Sequence, residues 1–162
     1  MNQQSHLPIL LSGRTNPAFA RKLAKKLNLT LGNVDIATFS DTETHIVVRE
    51  DCAGRDVYIV QSLSMPANEN VMELLLMVHA VAALRPRRIT AVVPFMAYRR
   101  QEKITQRGEA LAFQLVAKLL YAAGCRRILT NDLHKHRSAR FFKEASIVNR
   151  ELRAFDVLVD HL

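Results

Sequence analysis

The sequence predicts a three-layer α/β domain built on a mostly parallel sheet. Two observations carry that reading. Short, continuous apolar runs rich in β-branched residues recur at Ile9–Leu11, Val57–Val60, Ile89–Val93 and from Ile128, as expected of strands buried on both faces. Between them lie stretches with helical spacing and short links, the alternation that produces parallel crossovers. At 162 residues the chain fits one domain with a substantial core. Its apolar content of 49% argues against global disorder.

Taken in order, Ile9-Leu10-Leu11 reads as a buried strand ending in Ser12-Gly13-Arg14-Thr15-Asn16. Asn16 followed by Pro17 is a helix start, and Ala18 to Leu27 has helical spacing with Arg21, Lys22, Lys25 and Lys26 on the wet side. The Ser12–Asn16 loop is read as structural, although free N–H groups at such a junction can also hold phosphate. Val34 to Phe39 and the alternating His45 to Arg49 read as two strands, the second half exposed or at an edge. The link between them places Asp41 and Glu43 two residues apart, on one side of an extended chain. Such a pair can bind Mg²⁺, act as acid and base, or accept hydrogen bonds from a base or sugar; equally, it can belong to a polar hairpin turn.

Asp56 to Gln61 is a further buried strand. Pro66 and Asn68 then open a long helix, with Asn68 as N-cap, Glu69 in the first turn and Val71, Leu74, Leu75, Val78 and Ala82 on one face. Met72, Leu76, Met77 and Val81 make it apolar nearly all round, the pattern of a helix buried on two sides or at a contact between subunits or domains. His79 is read as packed. Ala110 to Ala123 is a second amphipathic helix, with Leu111, Leu115 and Leu119, closed by Gly124. Ile128 to Asn131 is the last clear strand. Ser138 to Leu162 has weak helical pattern and a late apolar run, Val157-Leu158-Val159.

The stretch with most chemistry runs from Arg88 to Arg107. A central strand ends at Pro94, which has no N–H to give to a ladder. Behind it come Tyr98, Arg99, Arg100, Gln101, Glu102, Lys103 and Arg107, an aromatic plate and four cations off the carboxyl end of a strand. Open α/β sheets bind ligands at that edge, and clustered arginines beside an aromatic suit a phosphorylated molecule bearing a base. A second tip, Asp132, His134 and His136, has alternate spacing that can hold a divalent ion or be a plain loop.

A net charge of +8 points to anionic partners such as nucleotides, phosphosugars or nucleic acid. There is no P-loop and no GxGxxG, so other groups must hold any phosphates. Nucleic acid is the weakest of these candidates, because neither a recognition-helix nor an aromatic-platform motif is present. Cys52 and Cys125 suggest a reducing compartment, no apolar run approaches a membrane span, and the first eight residues lack a signal peptide, so a cytoplasmic location is expected.

In register, Phe39-Ser40-Asp41-Thr42-Glu43, Gly54 to Ser62, Asn70 to Met77, Tyr98-Arg99-Arg100-Gln101-Glu102 and Asp132-Leu133-His134 with Phe141-Phe142 resemble ribose-phosphate diphosphokinase, or PRPP synthetase. The resemblance implies a type I phosphoribosyltransferase-like fold and transfer of the β,γ-diphosphoryl group of ATP to the 1-hydroxyl of ribose 5-phosphate. It implies that Phe39, Asp41 and Glu43 meet adenine, usually from a neighbouring subunit, and that Arg100 and Gln101 contact ATP. It further implies that His134 helps hold catalytic Mg²⁺, and that the chain works as a homo-oligomer or with a second PRPP-synthetase domain. Residues 1–162 are expected to form a single amino-terminal domain of this kind. The parts a second domain supplies, among them the acidic PRPP loop, the ribose 5-phosphate site and the mobile lysine–arginine loop, are not recognised here. Departures from the family pattern include Thr42 for its glycine, Arg99 and Glu102 around the Arg-Gln pair, and Lys135 to Arg140 for a glutamine-rich run. A non-catalytic regulatory homologue, associating with full-length synthetase through the Asn68–Leu84 helix, is the alternative.

Overall fold

The structure, a computed structural model, describes residues 7–133 and 138–154. Strands β1 (Ile9–Ser12), β4 (Asp56–Val60), β5 (Arg88–Val93), β6 (Arg127–Asn131) and β7 (Val148–Leu152) form one parallel sheet in that order. Parallel neighbours cannot be joined by a tight turn, so helices carry the chain back. These are α1 (Pro17–Lys26), α2 (Ala67–Ala83), α3 (Ala112–Ala123) and the short α4 (Ala139–Glu144). Strands β2 (Val34–Thr38) and β3 (Thr44–Val48) stand apart as an antiparallel hairpin.

The main core joins Ile9, Leu11, Val57, Ile59, Ile89, Ala91, Val93 and Ile128 of the sheet to the inner faces of α2, α3 and α4. On the other face, Ala20 and Ala24 of α1 pack on Leu10 and Val60. Alongside them Leu23, Leu27, Tyr58, Val92, Leu129 and Leu152 line an apolar groove of about 700 Å³. Asn16 caps α1 as its position suggests, its side chain accepting the Phe19 N–H at 3.1 Å. Gly124 ends α3 in the left-handed conformation, where a Cβ would lie 2.8 Å from that of Ala82.

Several expectations change. Asn68 is not the N-cap of α2: Pro66 holds that position without a side-chain bond, and Asn68 lies inside the first turn. His79 is exposed rather than packed. In α3 the leucine stripe faces outward, with Leu115 and Leu119 exposed, while Phe113, Val116, Ala117 and Leu120 are buried. With apolar residues on both faces, spacing could not tell inside from outside. Strand β7 was not foreseen, because the polar Val148–Leu152 segment pairs only with β6 at the sheet edge. The Val157–Val159 run lies outside the described residues.

The carboxyl edge of the sheet is held by one polar network. Glu73 on α2 is 2% exposed. Its Oε1 accepts the Arg14 backbone N–H at 2.8 Å and the Gln61 side-chain N–H at 2.9 Å, and its Oε2 accepts Arg14 Nε–H at 2.6 Å. Gln61 Oε1 accepts the Thr15 hydroxyl at 2.8 Å, and Thr15 Oγ1 accepts the Ser62 N–H at 2.9 Å. Arg14 Nη1 donates to Thr38 Oγ1 at 2.7 Å, which extends the network to the end of β2. The approach is close enough to require glycine at 13, where a Cβ would sit 2.1 Å from Gln61 Oε1. The donors of the Ser12–Asn16 loop are thus largely spent inside the protein, in keeping with its structural reading.

At the hairpin tip, Phe39 N–H donates to the Glu43 carbonyl at 2.8 Å and Thr42 N–H to the Phe39 carbonyl at 3.0 Å. Thr42 has φ 74°, a left-handed conformation that costs a β-branched residue about 1–2 kcal/mol. Two outcomes follow from this fold. Thr42→Gly should stabilise the chain by about 1 kcal/mol in denaturant unfolding, because glycine relieves the strained φ. Glu73→Gln should destabilise it by about 2–3 kcal/mol in the same measurement, because Arg14 loses its charged acceptor.

Candidate functional site

Because β1, β4, β5 and β6 run parallel, their following loops gather at one edge. The loop after β5 is the longest of these, irregular from Pro94 to Leu111. Its first part is anchored rather than mobile in character. Met96 and Ala97 are buried in the core, and Tyr98 packs against it. Tyr98 takes φ 56°, rare for an aromatic residue, and its hydroxyl hydrogen-bonds to Asn68 Oδ1 on α2. The Gln101 N–H donates to the Tyr98 carbonyl at 2.8 Å, and the Gln101 carbonyl accepts the Phe113 N–H at 3.2 Å. These bonds close a tight turn that presents residues 99–101.

The aromatic plate expected at Tyr98 is found instead at Phe95. Tyr98 is half-buried and tied to Asn68, whereas Phe95 is 41% exposed and carries the Arg99 guanidinium 4.5 Å from its ring centroid. Arg99 Nη1 also reaches the Asp132 carbonyl at 3.4 Å, bridging the β5 and β6 loops. Arg100 is exposed and, among the described residues, makes no hydrogen bond or ion pair. Gln101 is exposed beside it. Glu102 behaves differently: it is buried and accepts the Ser138 hydroxyl, so it braces the loop against the start of α4. Further on, Glu109 accepts the Thr105 N–H and hydroxyl and the Gln106 N–H, which holds its carboxyl below the ordinary range.

The hairpin presents the second group. Phe39 is 51% exposed, tilted against the His45 ring at 5.2 Å between centroids. Asp41 and Glu43 are exposed, but they do not share one side of an extended strand. Asp41 Oδ1 accepts the Glu43 N–H at 3.2 Å, a local turn bond. The turn alternative therefore describes the backbone, with both carboxylates still open to solvent. Among the described residues no hydrogen bond or ion pair links Phe39–Glu43 to Arg99–Gln101.

The expected metal ligand His134, with His136, lies outside the described residues. Asp132 beside them is described: it has φ 42°, and its carboxylate accepts the Ala154 N–H at 3.1 and 3.3 Å. Among the described residues no cluster of three His, Cys, Asp or Glu groups could hold a metal ion. No described helix is long and apolar enough to cross a membrane. Sequence reasoning missed Asn68 and Glu102 as supports of the arginine loop and Arg14 as a support of the hairpin. Asn68 and Arg14 are exposed polar residues, so nothing in their type signals these roles, and Glu102 lies in a charged run that hides its burial.

Comparison with known proteins gives one answer. Residues 8–124 match the sequence model of the N-terminal domain of ribose phosphate pyrophosphokinase. Ribose-phosphate pyrophosphokinase 2, chloroplastic, of Spinacia oleracea is 40% identical over 153 residues, covering 94% of this chain and 35% of its own length. Ribose-phosphate pyrophosphokinase of Clostridium perfringens is 41% identical over 133 residues, covering 82% and 42% respectively. The crystal structure of phosphoribosylpyrophosphate synthetase from Mycobacterium smegmatis superposes with a TM-score of 0.90 at 32% identity, over 95% of this chain and 51% of that one. The chain thus spans well under half the length of these two curated relatives. The match in sequence and in fold, a type I phosphoribosyltransferase-like sheet, leads to one conclusion: the chain belongs to the ribose-phosphate pyrophosphokinase family.

Proposed function

We propose that this chain is the ATP-side, amino-terminal half of a ribose-phosphate diphosphokinase, the catalyst that moves the β,γ-diphosphoryl group of ATP to the 1-hydroxyl of ribose 5-phosphate. The observation that carries the reading is Arg100. It is an exposed guanidinium without a partner among the described residues, set on a braced turn at the carboxyl end of the central strand. A preorganised cation of this kind binds phosphate oxygens with little reorganisation. Gln101 offers an amide next to it, able to donate to a phosphate or accept from a sugar hydroxyl.

In this reading the hairpin meets the other end of the nucleotide. Phe39 supplies a face for adenine to stack on. The Asp41 and Glu43 carboxylates accept from the base or sugar. Following the family resemblance, the nucleotide is proposed to lie between the loop of one copy and the hairpin of a neighbour, in a homo-oligomer. Magnesium is proposed to arrive with ATP and to neutralise charge on its phosphates, with His134 as the residue of this chain that would assist. Phosphoryl-type transfer is mostly positioning and charge neutralisation, so a half-site of this kind binds without completing the reaction. Both cysteines are buried as free thiols, and burial pushes that of Cys125 up to about 11, which leaves it unreactive.

A second reading has its own support. Met72 of α2 is 53% exposed, and Leu115 and Leu119 of α3 are exposed as well. Apolar residues left outward on these helices suit a regulatory homologue that docks on full-length synthetase. Calorimetric titration with Mg-ATP separates the two. The chain should bind it, the Arg100→Ala variant should bind at least about tenfold more weakly, and the chain alone should form little or no PRPP. Absence of binding by the unmutated chain, together with co-purification of a full-length synthetase, would overturn the enzymatic reading in favour of the regulatory one.

A further inference from the structure

We infer that Arg14 is a positioning residue for the nucleotide: through Thr38 it fixes the hairpin tip that carries Phe39, Asp41 and Glu43. The inference rests on the reading of that tip as the adenine contact. It arises from how unevenly the hairpin is held. Val34, Ile36, Ile46 and Val48 pack their apolar sides against the core and secure its base. Beyond them, Thr38 and Thr44 form the last paired rung, and every residue from Ala37 to Glu43 is exposed.

At that rung the Arg14 Nη1–Thr38 Oγ1 bond of 2.7 Å joins hairpin to domain. Among the described residues it is the one side-chain hydrogen bond from 34–48 to any residue beyond neighbouring Arg49. Thr38 immediately precedes Phe39, so its position sets the direction in which the tip leaves the sheet. Arg14 can serve this way because it is itself immobilised. Its backbone N–H and its Nε–H both go to the buried Glu73 carboxylate, at 2.8 and 2.6 Å. The planar guanidinium then aims Nη1 at Thr38 at a fixed angle. An ammonium at this position could keep the charge pairing, but could not span both partners with the same geometry. The Arg14 side chain is 44% exposed, so water competes for the Thr38 bond and the effect on the tip is moderate.

The test uses hydrogen exchange and Mg-ATP titration on the 162-residue chain. Thr38→Val removes the acceptor and leaves the Arg14–Glu73 pair intact, so the core is not disturbed. Arg14→Lys keeps the charge beside Glu73 and removes the fork. Each should speed exchange of the hydrogen-bonded Phe39 and Thr42 amides about tenfold, while amides of β4 and β5 exchange as before. Each should also weaken Mg-ATP binding by a similar factor, and Thr38→Ser, which retains the hydroxyl, should restore both. Unchanged exchange at Phe39 and Thr42 in Thr38→Val would overturn the inference by itself. If Phe39→Ala binds Mg-ATP as tightly as the unmutated chain, the adenine reading of the hairpin fails and the inference fails with it.

Discussion

A single buried carboxylate governs how the working edge of this domain is put together. Glu73 sits on the buried face of α2 among Val71, Leu74, Met77 and Val78, and an ionised group there would cost several kcal/mol without partners. Its partners come from three places: the loop after β1, the end of β4 and, through Arg14, the hairpin. Satisfying one charge therefore fixes the relative positions of three segments that are far apart in sequence. A hydrophobic residue at 73 would fill the same space, but it would leave Arg14 and Gln61 to find water, and the edge would lose its registration.

On that edge the protein carries two kinds of surface. The arginine loop is braced from behind by Tyr98 on Asn68 and by Glu102 on Ser138, so Arg99 is directed to Phe95 and Arg100 to solvent. The hairpin is a projecting arm with an aromatic and two carboxylates at its end. Cations that are preorganised on a braced turn suit phosphate, while an arm with an aromatic tip suits a flat base. In the proposed reading the charged end of the nucleotide meets the arginine loop, and its flat end meets the hairpin of a neighbouring copy.

Much of this was legible in the residues, for identifiable reasons. Strands β1, β4, β5 and β6 announce themselves because they are short, largely apolar runs rich in β-branched residues, as strands covered by helices require. The hairpin follows from two strand patterns around a polar link, and the arginine loop from Pro94 ending a strand ahead of a basic run. What escaped reading depended on tertiary partners. Nothing in the spacing of α2 marks Glu73 as interior, because a glutamate in a helix ordinarily faces water. Tyr98 was visible as an aromatic beside arginines, yet its left-handed backbone and its bond to Asn68 arise only after folding, which moved the exposed plate to Phe95. Leu115 and Leu119 had the right period and the wrong side, and β7 has too few apolar residues to signal a strand.

The order of strands in the main sheet has a consequence for how the chain can be assembled. From β1 through β4, β5, β6 and β7, each strand is laid beside the one completed before it, and none has to be inserted between two already paired. A chain emerging from the ribosome from its amino end can therefore extend the sheet one strand and one helix at a time. The open flank at every stage is the flank the next segment needs, so waiting surface and arriving sequence are matched in time as well as in space.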